Sequence, residues 1–125
     1  MKDLMAVLLN GIAQLEYNRN KPLPDYQGAY LDKMDEKMAA GIEVDGQVLP
    51  EPDLGQRAQF VAANLVHAIK NDDEANAAAM CTYLAVRLPD LRQVKIDESD
   101  GEIAIELVFD QDYVKQYPVQ FHRPN

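Results

Sequence analysis

Carboxylates are abundant in this sequence, but few side chains offer the nitrogen or sulfur atoms that most metal-binding motifs use. The nitrogen and sulfur ligands are His67, His122 and Cys81, and no two of them stand at the short spacing of metal-binding motifs. His67 falls within a helical pattern and His122 in the tail, which explains both histidines without a ligand. We therefore expect no metal site and no cofactor.

The acidic turn around Asp100 and Gly101 has the composition of a calcium-binding loop but not its pattern. If Gly101 takes the sixth position of such a loop, the first and twelfth positions fall on Ile96 and Leu107. Calcium loops require oxygen-bearing side chains at both positions. The pattern therefore fails where it is most demanding, and a hairpin turn explains the same residues better.

Nucleophilic catalysis requires Cys81 or Ser99 to lie beside a base. Ser99 is the only serine and lies at the predicted turn, while Cys81 falls on an apolar helical stripe, where a cysteine is usually a core residue. The six glycines are scattered and form no phosphate-binding loop. Carboxylates are abundant, yet no pair stands out as an acid and a base. We expect no catalytic residues, which favours a protein that is not an enzyme.

The segment 17–30, YNRNKPLPDYQGAY, has the composition of a contact surface. It combines tyrosines, two bases and two prolines in a chain that is acidic elsewhere. Tyrosine and arginine are favoured at interfaces, and proline stiffens a loop. A connection whose tyrosines cover the core is the simpler explanation. The candidate residues for contact with a partner or ligand are Tyr17, Arg19, Lys21, Tyr26, Tyr30 and His67.

Four segments show the apolar periodicity of amphipathic helices. The predicted helices span residues 3–17, 26–40, 54–70 and 74–88. Asp53 is the expected N-cap of the third helix. The short break at 71–73 makes the last two helices an antiparallel pair.

Residues 93–109 predict a β-hairpin around Asp100-Gly101, because apolar and polar residues alternate on both sides of that dipeptide. A two-residue turn pairs Ser99 with Glu102, and a four-residue loop keeps the same faces. A three-residue loop mixes the faces and is rejected. The apolar face, which we expect to pack on the helices, carries Val94, Ile96, Ile103, Ile105, Leu107 and Phe109.

Two shorter segments stay open between strand and loop. Residues 42–49 surround a second Asp-Gly pair and form either a short hairpin or an ordered loop. Residues 117–121 have the composition of a short strand, which Pro118 restricts to a sheet edge. Residues after about 120 are expected to fray.

Length, charge and cysteine content narrow the class of protein. The 125 residues suit a single globular domain over 1–125. A net charge of −9 disfavours binding to nucleic acid and to anionic membranes. The single cysteine permits no intrachain disulfide, and no run of apolar residues is long enough for a membrane span. Cytoplasmic location is therefore the expectation.

These observations predict an α+β fold: about four helices, two of them an antiparallel pair at 54–88, followed by a C-terminal antiparallel β-hairpin packed on them. We expect a small acidic cytoplasmic protein that acts as a non-catalytic interaction or regulatory module, through a protein partner or through self-association as a homodimer. The alternative is a small-molecule binder or enzyme that uses the 17–30 loop, and it requires the candidate side chains to converge on one pocket.

Overall fold

The computed structural model describes residues 3–44 and 46–115. Within these residues the chain forms six strands and three helices. The strands are β1 (Leu4–Leu9), β2 (Ile12–Asn18), β3 (Ile42–Val44), β4 (Gln47–Leu49), β5 (Gln93–Ser99) and β6 (Glu102–Val108). The helices are α1 (Asp25–Ala39), α2 (Leu54–Lys70) and α3 (Glu74–Arg87). None of these helices is long and apolar enough to cross a membrane.

Four of the strands form one mixed sheet in the order β2-β1-β5-β6. β1 and β5 lie parallel in its middle, and each is the inner strand of an antiparallel hairpin. β3 and β4 form a separate antiparallel pair. The main sheet is therefore assembled from two hairpins that lie far apart in sequence.

The predicted helix over 3–17 is wrong, and so is the predicted fold of four helices followed by one C-terminal hairpin. These residues form β1 and most of β2, joined by Asn10 and Gly11 with φ angles of 50° and 81°. Two positive φ angles in a two-residue loop define a type I′ hairpin turn, for which Asn-Gly is the favoured sequence. β1 is apolar on both faces because it is central, so its sequence lacks the alternation that separates a strand from a helix.

The predictions for the second half of the chain are confirmed where they rest on local signals. α2 begins after a capping box, in which Asp53 Oδ1 accepts from the backbone N–H of Gln56 at 2.8 Å and Gln56 Oε1 accepts from the backbone N–H of Asp53 at 2.9 Å. β5 and β6 pair with Ser99 opposite Glu102, as the two-residue turn requires. Residues 42–49 form the β3–β4 hairpin, and the predictions for 117–121 and for fraying after 120 lie outside the described residues.

The helices cover one face of the main sheet. Completely or almost completely buried side chains from the two central strands meet those of the helices; they include Met5, Val7, Leu65, Leu84, Val94 and Ile96. The second face is covered in part by the chain after β6, where Tyr113 packs on Ala6 and Leu8. Gln93 ties this segment to the sheet, since its Nε2 donates to the carbonyl of Gln111 at 2.9 Å.

The predicted apolar face of the β5–β6 hairpin is buried over only part of its width. Val94 and Ile96 on β5 are buried, whereas Ile103 and Ile105 on β6 keep 42% and 36% of their surface exposed. Phe109, just beyond β6, is 45% exposed. β6 lies at the edge of the sheet, and its apolar side chains therefore remain accessible there.

Candidate functional site

A groove of about 430 Å³ separates α1 from α3. Tyr26 and Tyr30 form its α1 wall and are 73% and 48% exposed. Ala75, Ala78 and Ala79 form the opposite wall. The groove is therefore an accessible apolar surface with two aromatic rings on one side and methyl groups on the other.

The α1–α3 groove follows from the spacing of residues on the two helices. Tyr26 and Tyr30 are four residues apart, so they lie on the same face of α1. On α3, Ala75 is three residues from Ala78 and four from Ala79, so these small side chains also share a face. Alanines leave space between the helices that larger side chains would fill.

Tyr17 and Lys21 line a second cleft, of about 460 Å³, at the connection between β2 and α1. Lys115 Nζ lies 3.9 Å from Glu16 Oε1 at this cleft. Gln27 lines both this cleft and the α1–α3 groove, so the two depressions are neighbours on the surface. Two of the candidate residues thus meet here, and two others meet in the groove.

Arg19 is engaged in a structural contact. Its guanidinium donates to the carbonyl of Ala85 at 3.1 and 3.3 Å and to that of Leu88 at 3.0 Å. Ala85 lies in the last turn of α3 and Leu88 is its C-cap, so both carbonyls are at the helix end, where intrahelical donors run out. The carbonyl of Leu88 also accepts from the backbone N–H of Leu91 at 3.0 Å. Burial lowers the pKa of Arg19, and the charge of nearby Arg92 lowers it further. Arg19 therefore anchors the β2–α1 connection to the end of α3.

His67 lies on the exposed side of α2, away from the residues that line the two depressions. The six candidates consequently do not converge on one pocket. The structure brings Tyr26 together with Tyr30, and Tyr17 together with Lys21. The alternative of a ligand pocket that also uses Arg19 and His67 lacks the convergence it requires.

A polar cluster that the sequence did not reveal joins the three helices. Tyr83 OH donates to Asp35 Oδ1 at 2.5 Å, and Arg87 Nε donates to Asp35 Oδ2 at 2.9 Å. Arg57 Nε lies 3.7 Å from the same carboxylate. α1 supplies the carboxylate, α3 supplies its two hydrogen-bond donors and α2 supplies a nearby positive charge, so the cluster fixes the relative positions of the three helices. Only the spacing of Tyr83 and Arg87 is visible in the sequence, and nothing there indicates Asp35 as their partner.

Two buried titratable side chains, Cys81 and Tyr83, are held in their protonated forms. Burial raises the pKa of Cys81 to about 12, so it is a thiol and not the thiolate that acts as a nucleophile. Burial and the hydrogen bond to Asp35 raise the pKa of Tyr83 to about 12. Among the described residues, no three or more histidine, cysteine or acidic side chains are grouped so as to hold a metal ion.

No protein-family model matches the chain, and no curated protein or solved structure is significantly similar to it. The geometry of its surface is therefore the guide to its function. That geometry defines an α+β protein with an accessible aromatic groove and an open sheet edge.

Proposed function

We propose that this protein is a non-catalytic interaction module that binds an apolar segment of a protein partner in the α1–α3 groove. The exposure of Tyr26 and Tyr30 opposite a wall of alanines carries the proposal. Tyrosine rings at such positions supply large, rigid contact area with a polar tip, which is why they are enriched at protein interfaces.

Acidic residues directly precede groove residues on both helices, and they favour a partner segment that carries a basic residue beside its apolar side chains. Asp25 directly precedes Tyr26, and Glu74 directly precedes Ala75. Both carboxylates are exposed, and the whole chain carries a net charge of −9. A lysine or arginine next to the bound segment would be attracted to these acids, which raises the association rate.

Site-specific photo-crosslinking in cells tests this proposal. A benzophenone side chain at position 30 is expected to give an adduct with one partner of defined mass, which mass spectrometry then identifies. The same group at position 33, an exposed residue outside the groove, is the control and should give no such adduct. An identical pattern of adducts from both positions would contradict the proposal.

The purified partner then allows the contact to be measured. Tyr26→Ala and Tyr30→Ala should each raise its dissociation constant by about tenfold or more, since aromatic anchors carry much of the energy of an interface. Ala79→Arg should block the groove and abolish binding. Lys33→Ala should leave the dissociation constant unchanged.

A small organic ligand is a second candidate occupant, because the groove volume of about 430 Å³ suits such molecules. Native mass spectrometry of the freshly purified protein separates the two possibilities. A bound compound of constant mass that disappears in Tyr30→Ala would favour this candidate. A mass equal to that of the chain alone, together with the adduct at position 30, would favour the protein partner.

A further inference from the structure

β6 presents an uninterrupted strand edge. Among the described residues it is the outermost strand of the sheet, and it pairs with β5 over seven residues without a register shift. Ser99 and Glu102 flank the two-residue turn, so they form a hydrogen-bonded pair, and bonded and non-bonded pairs alternate from there. The backbone N–H and C=O groups of Ile103, Ile105 and Leu107 therefore point away from β5, towards the open edge.

The opposite edge of the sheet, β2, is protected in a way that β6 is not. The register of β2 on β1 shifts next to Val7 and Leu8, which leaves Gln14 without a paired residue. Such a bulge twists an edge strand and disrupts the row of backbone N–H and C=O groups to which another strand would hydrogen-bond. Lys115 also forms an ion pair with Glu16 on β2.

From this asymmetry we infer that β6 pairs antiparallel with β6 of a second copy of the chain, joining the two sheets into one. The exposed apolar side chains Ile103, Ile105 and Phe109 at this edge would then lie against the β6 strand of the second copy. The inference adds self-association to the proposed function. It uses a different surface from the α1–α3 groove, so either can fail without the other.

The backbone and the apolar side chains fit a symmetric register with Ile105 at the two-fold axis. In an antiparallel pair, residues whose groups point outward must face each other, and a register with Ile105 opposite Ile105 of the second copy meets this condition. Ile103 then faces Leu107, which extends the apolar face across the junction. Phe109 falls opposite Gly101, where the absence of a side chain leaves space for the ring.

Charge on the other face of β6 supports the same register. With the axis at Ile105, Glu106 lies opposite Ala104 of the second copy, and Glu102 lies opposite Val108. An axis at Ala104 would place Glu102 opposite Glu106, and an axis at Glu106 would place that carboxylate opposite itself. Like charges directly opposite are destabilising, so both neighbouring registers are disfavoured.

The first experiment measures the mass of the full chain by sedimentation equilibrium from micromolar to submillimolar concentration. We expect a monomer–dimer equilibrium. Ile105→Lys, which brings two lysines together at the axis, should raise the dissociation constant by about 100-fold. Ile12→Lys is the matched control on the β2 edge, where Ile12 is 64% exposed, and it should leave the equilibrium unchanged. Circular dichroism checks that both variants keep the fold.

The second experiment tests the register by oxidative crosslinking. Ile105→Cys places two thiols in one hydrogen-bonded pair, whose Cα separation of about 5.5 Å allows a disulfide. Ile103→Cys should not crosslink, because the thiol introduced in each copy would face Leu107 of the other copy and not its own counterpart. The native Cys81 is buried and does not interfere.

Each outcome decides the inference. A strict monomer over the whole concentration range overturns it, and so does a dimer that Ile12→Lys dissociates while Ile105→Lys does not. A disulfide in Ile103→Cys but not in Ile105→Cys overturns the register. A dimer that strengthens with added salt agrees with the inference, since salt screens the repulsion between the two acidic β6 strands. The groove experiments are unaffected by any of these results.

Discussion

Asp35 and Asp32 bind the same arginine but differ in their exposure to water. Arg87 donates to Asp35 at 2.9 Å and to Asp32 at 2.8 Å. The side chain of Asp35 is 27% exposed and that of Asp32 is 74% exposed. Because water screens an exposed pair, distance alone does not determine what each contributes to stability.

We predict that Asp35→Asn lowers the free energy of unfolding by about 2 kcal/mol, because it leaves two arginines without their shared countercharge. Asp32→Asn should change it by less than about 0.5 kcal/mol. Urea denaturation of both variants beside the wild type measures the difference. Equal losses would show that Asp35 is no more important than a surface pair.

Tyr83 makes stability depend on alkaline pH. Its pKa in the folded protein is raised to about 12, against about 10 in the unfolded chain. The neutral hydroxyl therefore contributes fully below pH 10, and its contribution is lost as the pH rises through 12. Between pH 10 and pH 12, the unfolding free energy of the wild type should fall by about 2 kcal/mol relative to that of Tyr83→Phe. Parallel pH profiles for the two proteins would contradict this assignment.

Arg19 and the tyrosines show which part of a site a sequence reveals. The spacing of Tyr26 and Tyr30 correctly predicts one shared helix face, because that relation is local. The partners of Arg19 are carbonyls of Ala85 and Leu88, 66 and 69 residues away. The groove likewise requires the alanines of α3, and no pattern along the chain indicates that α3 lies beside α1.

The elements that the sequence predicts well are those with a strong local signal at one end. Asp53 caps α2, and Asp100-Gly101 fixes the register of β5 on β6. β1 lacks such help, because the parallel pairing with β5 that makes it a central strand joins residues almost ninety positions apart. Only the Asn10-Gly11 turn marks β1 and β2 as a hairpin, and its two positive φ angles explain why.

Alanine substitutions at two glycines should have opposite effects on stability, because one glycine lies in the β1–β2 turn and the other lies in a helix. Gly11 has a φ of +81°, and Gly28 lies inside α1, with only Leu23 Cδ2 near the position of a new Cβ, at 3.9 Å. Gly11→Ala should lower the free energy of unfolding by about 1 kcal/mol, because the backbone conformation is strained for alanine. Gly28→Ala should raise it by about 0.5–1 kcal/mol, because alanine favours the helix. Thermal or urea denaturation gives both signs, and a loss in both variants would refute the helix half of the prediction.

The whole molecule has to cover both faces of its central strands. Helices cover one face, and the segment after β6 covers part of the other by returning across the sheet. Tyr113 is the residue of that segment buried on Ala6 and Leu8. The predicted fold lacks this second layer. It places a helix at 3–17, so it contains no central strand β1 whose second face must be covered.

Tyr113→Ala should therefore be among the most destabilising substitutions on this face. Tyr113 is only 2% exposed, and truncating a buried aromatic side chain lowers the free energy of unfolding by about 3–5 kcal/mol. Its neighbour Val114 is 81% exposed, so Val114→Ala is a matched control that should change stability by less than about 0.5 kcal/mol. Urea denaturation measures both losses, and hydrogen exchange at Ala6 and Leu8 should accelerate only in Tyr113→Ala. If the two variants behave alike, the returning segment is not part of the core.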